Sequence, residues 1–169
     1  MVDGYIRSDR MILVTLGTQD KDFSRLLKAV EKQIKNGVIK DKVVAQVGTT
    51  KYNSDLIEMF DLIPVDKFDE LMNECDILIT HGGVGSILSG LKNNKVVIAA
   101  ARLKKYKEHV NDHQLEIIEN FSNAGYILEL KDFEKLDEVL EKSKKFKPKK
   151  YESNTENFVK ILEEYIDNI

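Results

Sequence analysis

Short uninterrupted apolar runs alternate along the chain with segments whose apolar residues recur at helical spacing. Met11 to Leu16 is a branched apolar run ending at Gly17-Thr18, the pattern of a strand covered on both faces. After it, Phe23, Leu26, Leu27, Val30 and Ile34 keep the period of a helix that Asp20 or Asp22 can cap and Asn36-Gly37 can stop. Val43 to Val47 predicts a second strand, again ending in Gly-Thr at Gly48-Thr49, and a weaker third lies within Ile57 to Ile63, closed by Pro64. Asp66 to Glu74 reads as a short helix carrying Phe68, Leu71 and Met72 on one face. Ile77 to Ile79 is the next apolar run; it stops at Thr80-His81 and passes through Gly82, Gly83 and Gly85 into a helix opening at Ser86. Ile87, Leu88 and Leu91 line that helix, Asn93-Asn94 ends it, and Val96 to Ala101 predicts another strand. A lysine-rich loop, Arg102 to Glu108, precedes a helix expected to open at His109 to Gln114, with Leu115, Ile117, Ile118 and Phe121 as core positions. Tyr126 to Leu130 predicts the last strand, and Asp132 caps a helix bearing Phe133, Leu136, Val139 and Leu140.

Strict alternation of strand and helix predicts an α/β fold, a Rossmann-like parallel sheet with helices on both faces. In such sheets ligands bind beyond the carboxyl ends of the strands. Gly17-Thr18, Gly48-Thr49, His81 to Ser86 and Arg102 all fall on that edge, so one cleft can collect them. The glycine-rich stretch carries the chemistry. Glycine permits a sharp turn and close approach of a ligand, and the first turn of the following helix leaves N–H groups free at the positive end of the helix dipole. That combination suits a phosphate or diphosphate, to which His81 and Ser86 add side-chain donors. A plain strand-to-helix turn makes the same backbone demands, but the histidine directly before the glycines favours an anion site.

Composition narrows the picture. At 169 residues with a net charge of -3, the chain is of single-domain size and has no overall nucleic-acid signature. The lone cysteine, Cys75, is expected to be a buried structural thiol. No apolar run approaches membrane-spanning length and no signal peptide is evident, so a cytoplasmic protein is expected. Residues 1–10 lack periodicity and read as a leader or floppy arm, residues 11–145 as the folded domain, and residues 146–169 as a basic linker and C-terminal amphipathic helix. The cationic run Lys142 to Lys150 fits a solvated linker or attraction to an anionic surface. In the final segment Phe158, Ile161, Leu162, Tyr165 and Ile166 form one stripe, to be covered by this domain or by a partner subunit. A dinucleotide-dependent oxidoreductase is disfavoured, because no GxGxxG follows the first strand and no acidic residue closes the second in the expected place.

Thr80-His81-Gly82-Gly83-Val84-Gly85-Ser86, an apolar strand, Arg102, and Glu108-His109-Val110-Asn111-Asp112-His113-Gln114 together resemble the donor-binding C-terminal half of MurG-like GT-B glycosyltransferases. With Val14-Thr15-Leu16-Gly17-Thr18, the chain is similar more narrowly to the single-domain catalytic subunits of two-component UDP-sugar transferases. These act on dolichol-linked GlcNAc in eukaryotes and in capsule or exopolysaccharide synthesis in bacteria. The resemblance implies an inverting UDP-sugar hexosyltransferase acting on a lipid-linked saccharide acceptor, held at the inner membrane face by a membrane-anchored partner subunit. It implies no metal and no cofactor beyond the UDP-sugar donor. His81, Gly82, Gly83, Val84, Gly85 and Ser86 would hold the diphosphate, with Gly17 and Thr18 across the cleft. Arg102, Asp112 and Gln114 would contact the donor sugar. His81 and His113 are the candidate catalytic residues, and His109 or His113, paired with Glu108 or Asp112, is the in-chain candidate for a base, a helix-start histidine so paired being as often structural; in related two-domain enzymes that base lies on the other half. Two positions depart from the family pattern: Ser89 stands where many relatives carry a ribose-binding glutamate, and Ala101 precedes Arg102 where proline is frequent. A non-catalytic nucleotide-sugar-binding or regulatory subunit is the alternative, which Ser89 fits.

Overall fold

The computed structural model describes residues 10–152, 160–161 and 163–164. Six parallel strands form one sheet: β1 (Met11–Thr15), β2 (Lys42–Gln46), β3 (Glu58–Phe60), β4 (Ile77–His81), β5 (Val96–Ala100) and β6 (Leu128–Glu129). Their spatial order is β3-β2-β1-β4-β5-β6. The chain therefore leaves β1 in one direction, returns, and continues from β4 in the other. The carboxyl ends of β1 and β4 form the switch point, where successive loops diverge and open a crevice.

Among the described residues the sheet is covered by α1 (Ser24–Lys35), α2 (Val65–Glu74), α3 (Val84–Lys92), α4 (His113–Asn123) and α5 (Leu136–Lys145). Strand residues alternate faces. Ile12, Val14, Val43, Ala45, Ile79 and Ile98 pack under α1 and α5, against Leu26, Leu27, Val30, Leu136 and Leu140. Leu13, Val44, Leu78, Val97 and Ala99 face the other way, against Met72, Ile87, Leu91, Ile117, Ile118 and Phe121 of α2, α3 and α4. Both faces are thus apolar along the central strands, which is why those strands read as unbroken runs.

Several boundaries differ from the sequence expectation. Thr80 and His81 belong to β4 instead of ending it, because pairing with β5 continues through Thr80 with Ala99 and His81 with Ala100. The buried Thr80 hydroxyl is satisfied by Thr15 Oγ1 at 2.8 Å across the switch point. Helix α3 opens at Val84, not Ser86, and α4 at His113, so His109 to Asp112 form a loop. Leu115, expected in the core, is exposed on the outer side of α4. Neither Asp20 nor Asp22 is the N-cap of α1; that position is Phe23, although the Asp22 carboxylate accepts from the Ser24 N–H at 3.2 Å and its hydroxyl at 2.7 Å. Asp132 caps a short 3-10 turn (Phe133–Lys135) ahead of α5, accepting from the Glu134 N–H at 3.0 Å.

Beyond α5 the basic stretch lies against the domain, with the Lys149 N–H on the Gly125 carbonyl at 3.0 Å. Of the expected C-terminal stripe, Ile161 packs on the α2–α4 face, as does Tyr151. Phe158, Leu162, Tyr165 and Ile166 lie outside the described residues, as does the N-terminal arm before Arg10. Among the described residues no helix is long and apolar enough to cross a membrane.

Candidate functional site

The site is assembled at the switch point from three loops. The β1–α1 loop supplies Gly17, Thr18 and Gln19; Gly17 adopts φ +80, a left-handed conformation that a side chain would strain. It is braced from beneath, since Thr49 donates from its hydroxyl to the Gln19 carbonyl at 3.0 Å, and a Cβ on Gly48 would lie 2.7 Å from the Gly17 carbonyl oxygen. The β4–α3 turn supplies His81 to Ser86. The β5–α4 loop, Ala101 to Asp112, closes the third side, and the Gln19 carboxamide nitrogen lies 3.0 Å from His109 Nε2, joining the first and third loops.

The glycines of the β4–α3 turn divide between room for buried side chains and room over the helix start. None of Gly82, Gly83 or Gly85 has a positive φ. Gly82 and Gly83 are there for space: a Cβ on Gly82 would sit 2.6 Å from Gln114 Cβ, and one on Gly83 would sit 2.2 Å from His81 Cε1. A Cβ on Gly85 would meet nothing within 4 Å, so the space over the start of α3 is open. Gly83 is the N-cap, and no side chain caps this helix. The first carbonyl of the ladder, Gly83, accepts from the Ile87 N–H at 3.1 Å, which leaves the amides of Val84, Gly85 and Ser86 ahead of the ladder and directed out of the helix end. The half-buried Ser86 sits in the same turn.

His81 stands at the back of this opening, buried at the end of β4. Its Nε2 edge is crowded by the Gly17 backbone: a Cβ there would come within 2.5 Å. Burial pushes its pKa down to about 4, with the Arg102 cation and His109 adding to the effect. The ring is therefore neutral near pH 7.

Arg102, Asp112 and Gln114 are all near the cleft but differently engaged. Gln114 is buried; its Oε1 accepts from the Gly82 N–H and the Arg102 N–H, each at 3.0 Å, and its Nε2 lies 3.4 Å from His81 Nδ1. It knots the ends of β4 and β5 to the first turn of α4. The Arg102 guanidinium, 1% exposed, donates to the carbonyls of Leu16, Lys21 and Glu108, the latter two at 2.7 and 3.2 Å, and stacks 4.8 Å from the Phe23 ring centroid. Asp112 is exposed, with Oδ1 accepting from the Lys104 N–H at 2.8 Å. His113 is half-buried at the first position of α4, its N–H donating to Asn111 Oδ1 at 3.2 Å.

Glu108, expected to support a histidine, is buried and committed to Arg25. Arg25 Nε and one terminal nitrogen donate to its two oxygens at 2.8 and 2.9 Å, and the Leu103 N–H adds a third bond at 3.0 Å. The Arg25 guanidinium is itself held over the Phe133 and Tyr106 rings, at 3.7 and 4.4 Å from their centroids. This clamp locks the β5–α4 loop onto α1. Sequence reading missed Arg25 and Gln19, since neither sits in a motif and their partners lie 83 and 90 positions away. A groove of about 880 Å³ opens at the opposite edge around Arg10, Lys42, Leu56 and Glu74, and holds none of the candidate residues.

Comparison with known proteins identifies the family and the fold. The family described as the glycosyltransferase family 28 C-terminal domain matches residues 11–169. The UDP-N-acetylglucosamine transferase subunit ALG13 of Candida glabrata is 40% identical over 53 residues, which are 31% of this chain and 25% of that protein. A solution structure of ALG13 superposes with a TM-score of 0.60 at 20% identity, covering 94% of this chain and 96% of that one. The kitacinnamycin glycosyltransferase gives a TM-score of 0.63 at 15% identity, over 95% of this chain and 38% of that one. The Arabidopsis thaliana enzyme UGT89C1, crystallised with UDP, gives 0.55 at 13% identity over 95% of this chain and 38% of that one. The chain thus spans a quarter of the curated relative and well under half of the two larger enzymes.

Proposed function

Because the chain belongs to the glycosyltransferase family 28 C-terminal domains, with the fold of the C-terminal half of a GT-B enzyme, we propose that its cleft binds the diphosphate of a UDP-sugar and serves sugar transfer. The observation that carries this reading is the uncapped start of α3. Three amides stand uncapped at a helix N-terminus at the switch point, with open space beside Gly85 and a buried neutral histidine behind them. Such donors favour an anion before reaction and favour it more as the bond from sugar to phosphate breaks and negative charge builds on the leaving UDP. Because they are already in place, no reorganisation is needed at that moment. Val84, Gly85 and Ser86 would contact the phosphates through their amides, Gly17 and Thr18 would close the far side, and His81 would donate from its ring. Asp112, exposed at the mouth, is the group best placed to meet donor-sugar hydroxyls. Arg102 and Gln114 act through the loops and ring that they hold.

The acceptor and its base belong on this reading to another polypeptide. ALG13 is named as a subunit, which supports a two-component transferase whose second, membrane-anchored part presents a lipid-linked saccharide and completes the cleft. The first donor to test is UDP-N-acetylglucosamine, from that relative's name. Titration calorimetry of the chain with UDP-N-acetylglucosamine, UDP-glucose and UDP-galactose, followed by assay of UDP release with the partner supplied, tests the proposal. Saturable binding and release, both abolished by His81→Ala, are expected. Binding without release in the complete complex would leave a donor-binding regulatory subunit, and no affinity for any UDP compound would refute the reading.

A further inference from the structure

We propose that Gln114 is a positioning residue that holds the His81 imidazole in the tautomer protonated on Nε2, so that a neutral ring presents an N–H to the cleft. The inference rests on the cleft being the diphosphate site. It begins with the asymmetry of a carboxamide, which accepts at one end and only donates at the other. Both backbone groups on one end of Gln114, the N–H of Gly82 and the N–H of Arg102, are donors at 3.0 Å, so that end is the oxygen. The other end is then the NH2 group, and it faces His81 Nδ1 at 3.4 Å. An NH2 group can only donate, so Nδ1 carries the lone pair and the single ring proton sits on Nε2. The tautomer follows from the hydrogen-bond network.

The consequence lies on the far side of the ring. The Nε2 edge is turned toward Gly17 and Gly83, where the β1–α1 loop meets the start of α3: Cβ atoms built on those glycines would fall 2.5 and 2.9 Å from Nε2. Protonated there, the ring adds a donor to the same opening as the amides of α3. In the other tautomer it would turn a lone pair toward a phosphate oxygen, and two acceptors would repel. Arg102 and His109, the charged and titratable groups acting on the ring, both oppose a second proton. The neutral ring must therefore carry its one proton on the useful side, and Gln114, 5% exposed and fastened at its other end, selects that side. Its backbone bonds also make it the link through which the β5 end at Arg102 sets the ring's position.

Nitrogen-15 spectra of the full chain with labelled histidine test this directly, His81 being assigned by the signal lost in His81→Ala. Near pH 7 the wild type is expected to show a protonated Nε2 and an unprotonated Nδ1. Gln114→Glu keeps oxygen acceptors for Gly82 and Arg102 but offers the ring no donor; its His81 is expected to carry a proton on Nδ1. UDP affinity in that variant should fall at least about tenfold at a pH where the ring is neutral, the size of a lost hydrogen bond to a charged group. A residue that only braced the backbone would leave the tautomer unchanged in Gln114→Glu, and that outcome, or a wild-type ring protonated on Nδ1, overturns the proposal. Should Gln114→Glu fail to fold, the wild-type spectrum decides alone. The stated tautomer in a wild type that binds no UDP would uphold the positioning role and overturn the diphosphate site.

Discussion

Alanine at position 83 drives a methyl group into the His81 ring. The backbone raises no objection, since Gly83 has φ -76 and ψ 127, a conformation that alanine adopts freely. Restricting the unfolded chain would by itself stabilise the protein by about 0.5 kcal/mol. The cost comes from contact alone: the new Cβ lies 2.2 Å from Cε1, 2.9 Å from Nε2 and 3.0 Å from Nδ1, all far inside van der Waals distance. The ring has nowhere to go, with Gly17 against one edge and Gln114 against the other. Overpacking of this kind costs about 1–3 kcal/mol, so Gly83→Ala should lose about 2 kcal/mol in urea unfolding, with a fall in Tm of about 5 °C. The same substitution in a His81→Ala background should cost nothing, because the obstructing ring is gone. The double-mutant cycle should thus return a coupling of about 2 kcal/mol between positions 81 and 83. A coupling below about 0.5 kcal/mol would show that the ring does not occupy the space behind the cradle, and the site as described would be wrong.

Gly90→Ala should also destabilise, by about 1 kcal/mol net in thermal unfolding, although alanine is the better helix former. Its Cβ would lie 2.6 Å from Val97 Cγ2 and 2.8 Å from Leu78 Cδ2, where α3 presses on the sheet; a rise in Tm would refute that close approach. Because His81 is held neutral with its pKa near 4, while the unfolded chain titrates near 6.5, the unfolded state takes up a proton the fold refuses. Stability is accordingly complete above about pH 6.5 and declines as pH falls toward 4, by up to roughly 3 kcal/mol from this residue. Urea unfolding of wild type and His81→Gln across that window should diverge by such an amount, and parallel curves would refute the burial of the ring. Cys75 is 1% exposed and burial pushes its pKa up to about 11, so a disulfide reagent at pH 8 should modify it only as fast as the protein unfolds. Rapid labelling of the folded chain would contradict its packing between α2 and the sheet.

The strands were legible because both faces of the sheet are covered, which writes them as unbroken apolar runs such as Leu13-Val14 and Ile98-Ala99. Polar residues within a strand were not: Thr80 and His81 interrupt hydropathy but not pairing, since each has a specific buried partner that only the folded register supplies. The glycine turn was legible in its place, but the packing role of Gly82 and Gly83 was not. Gly82 and Gly83 are needed for room beside Gln114 and His81, a constraint set by residues up to 32 positions away that the local string does not show. The same limit hid the Arg25–Glu108 clamp, because α1 shows Arg25 only as one more cation on a helix. The starts of α3 and α4 differ by two and four residues from the expected ones; ahead of α4 the Asn111 carboxamide oxygen accepts from the His113 N–H, a local turn that the apolar spacing does not show.

The central claim is that the free amides at the start of α3 grip a diphosphate. Amide chemical-shift mapping of the chain titrated with UDP tests it most directly. Saturable shifts centred on Val84, Gly85 and Ser86, with Gly17 and Thr18 moving alongside, are the result expected. Shifts confined to the opposite edge, around Lys42 and Leu56, or none at all at millimolar UDP with the partner subunit present, would contradict it.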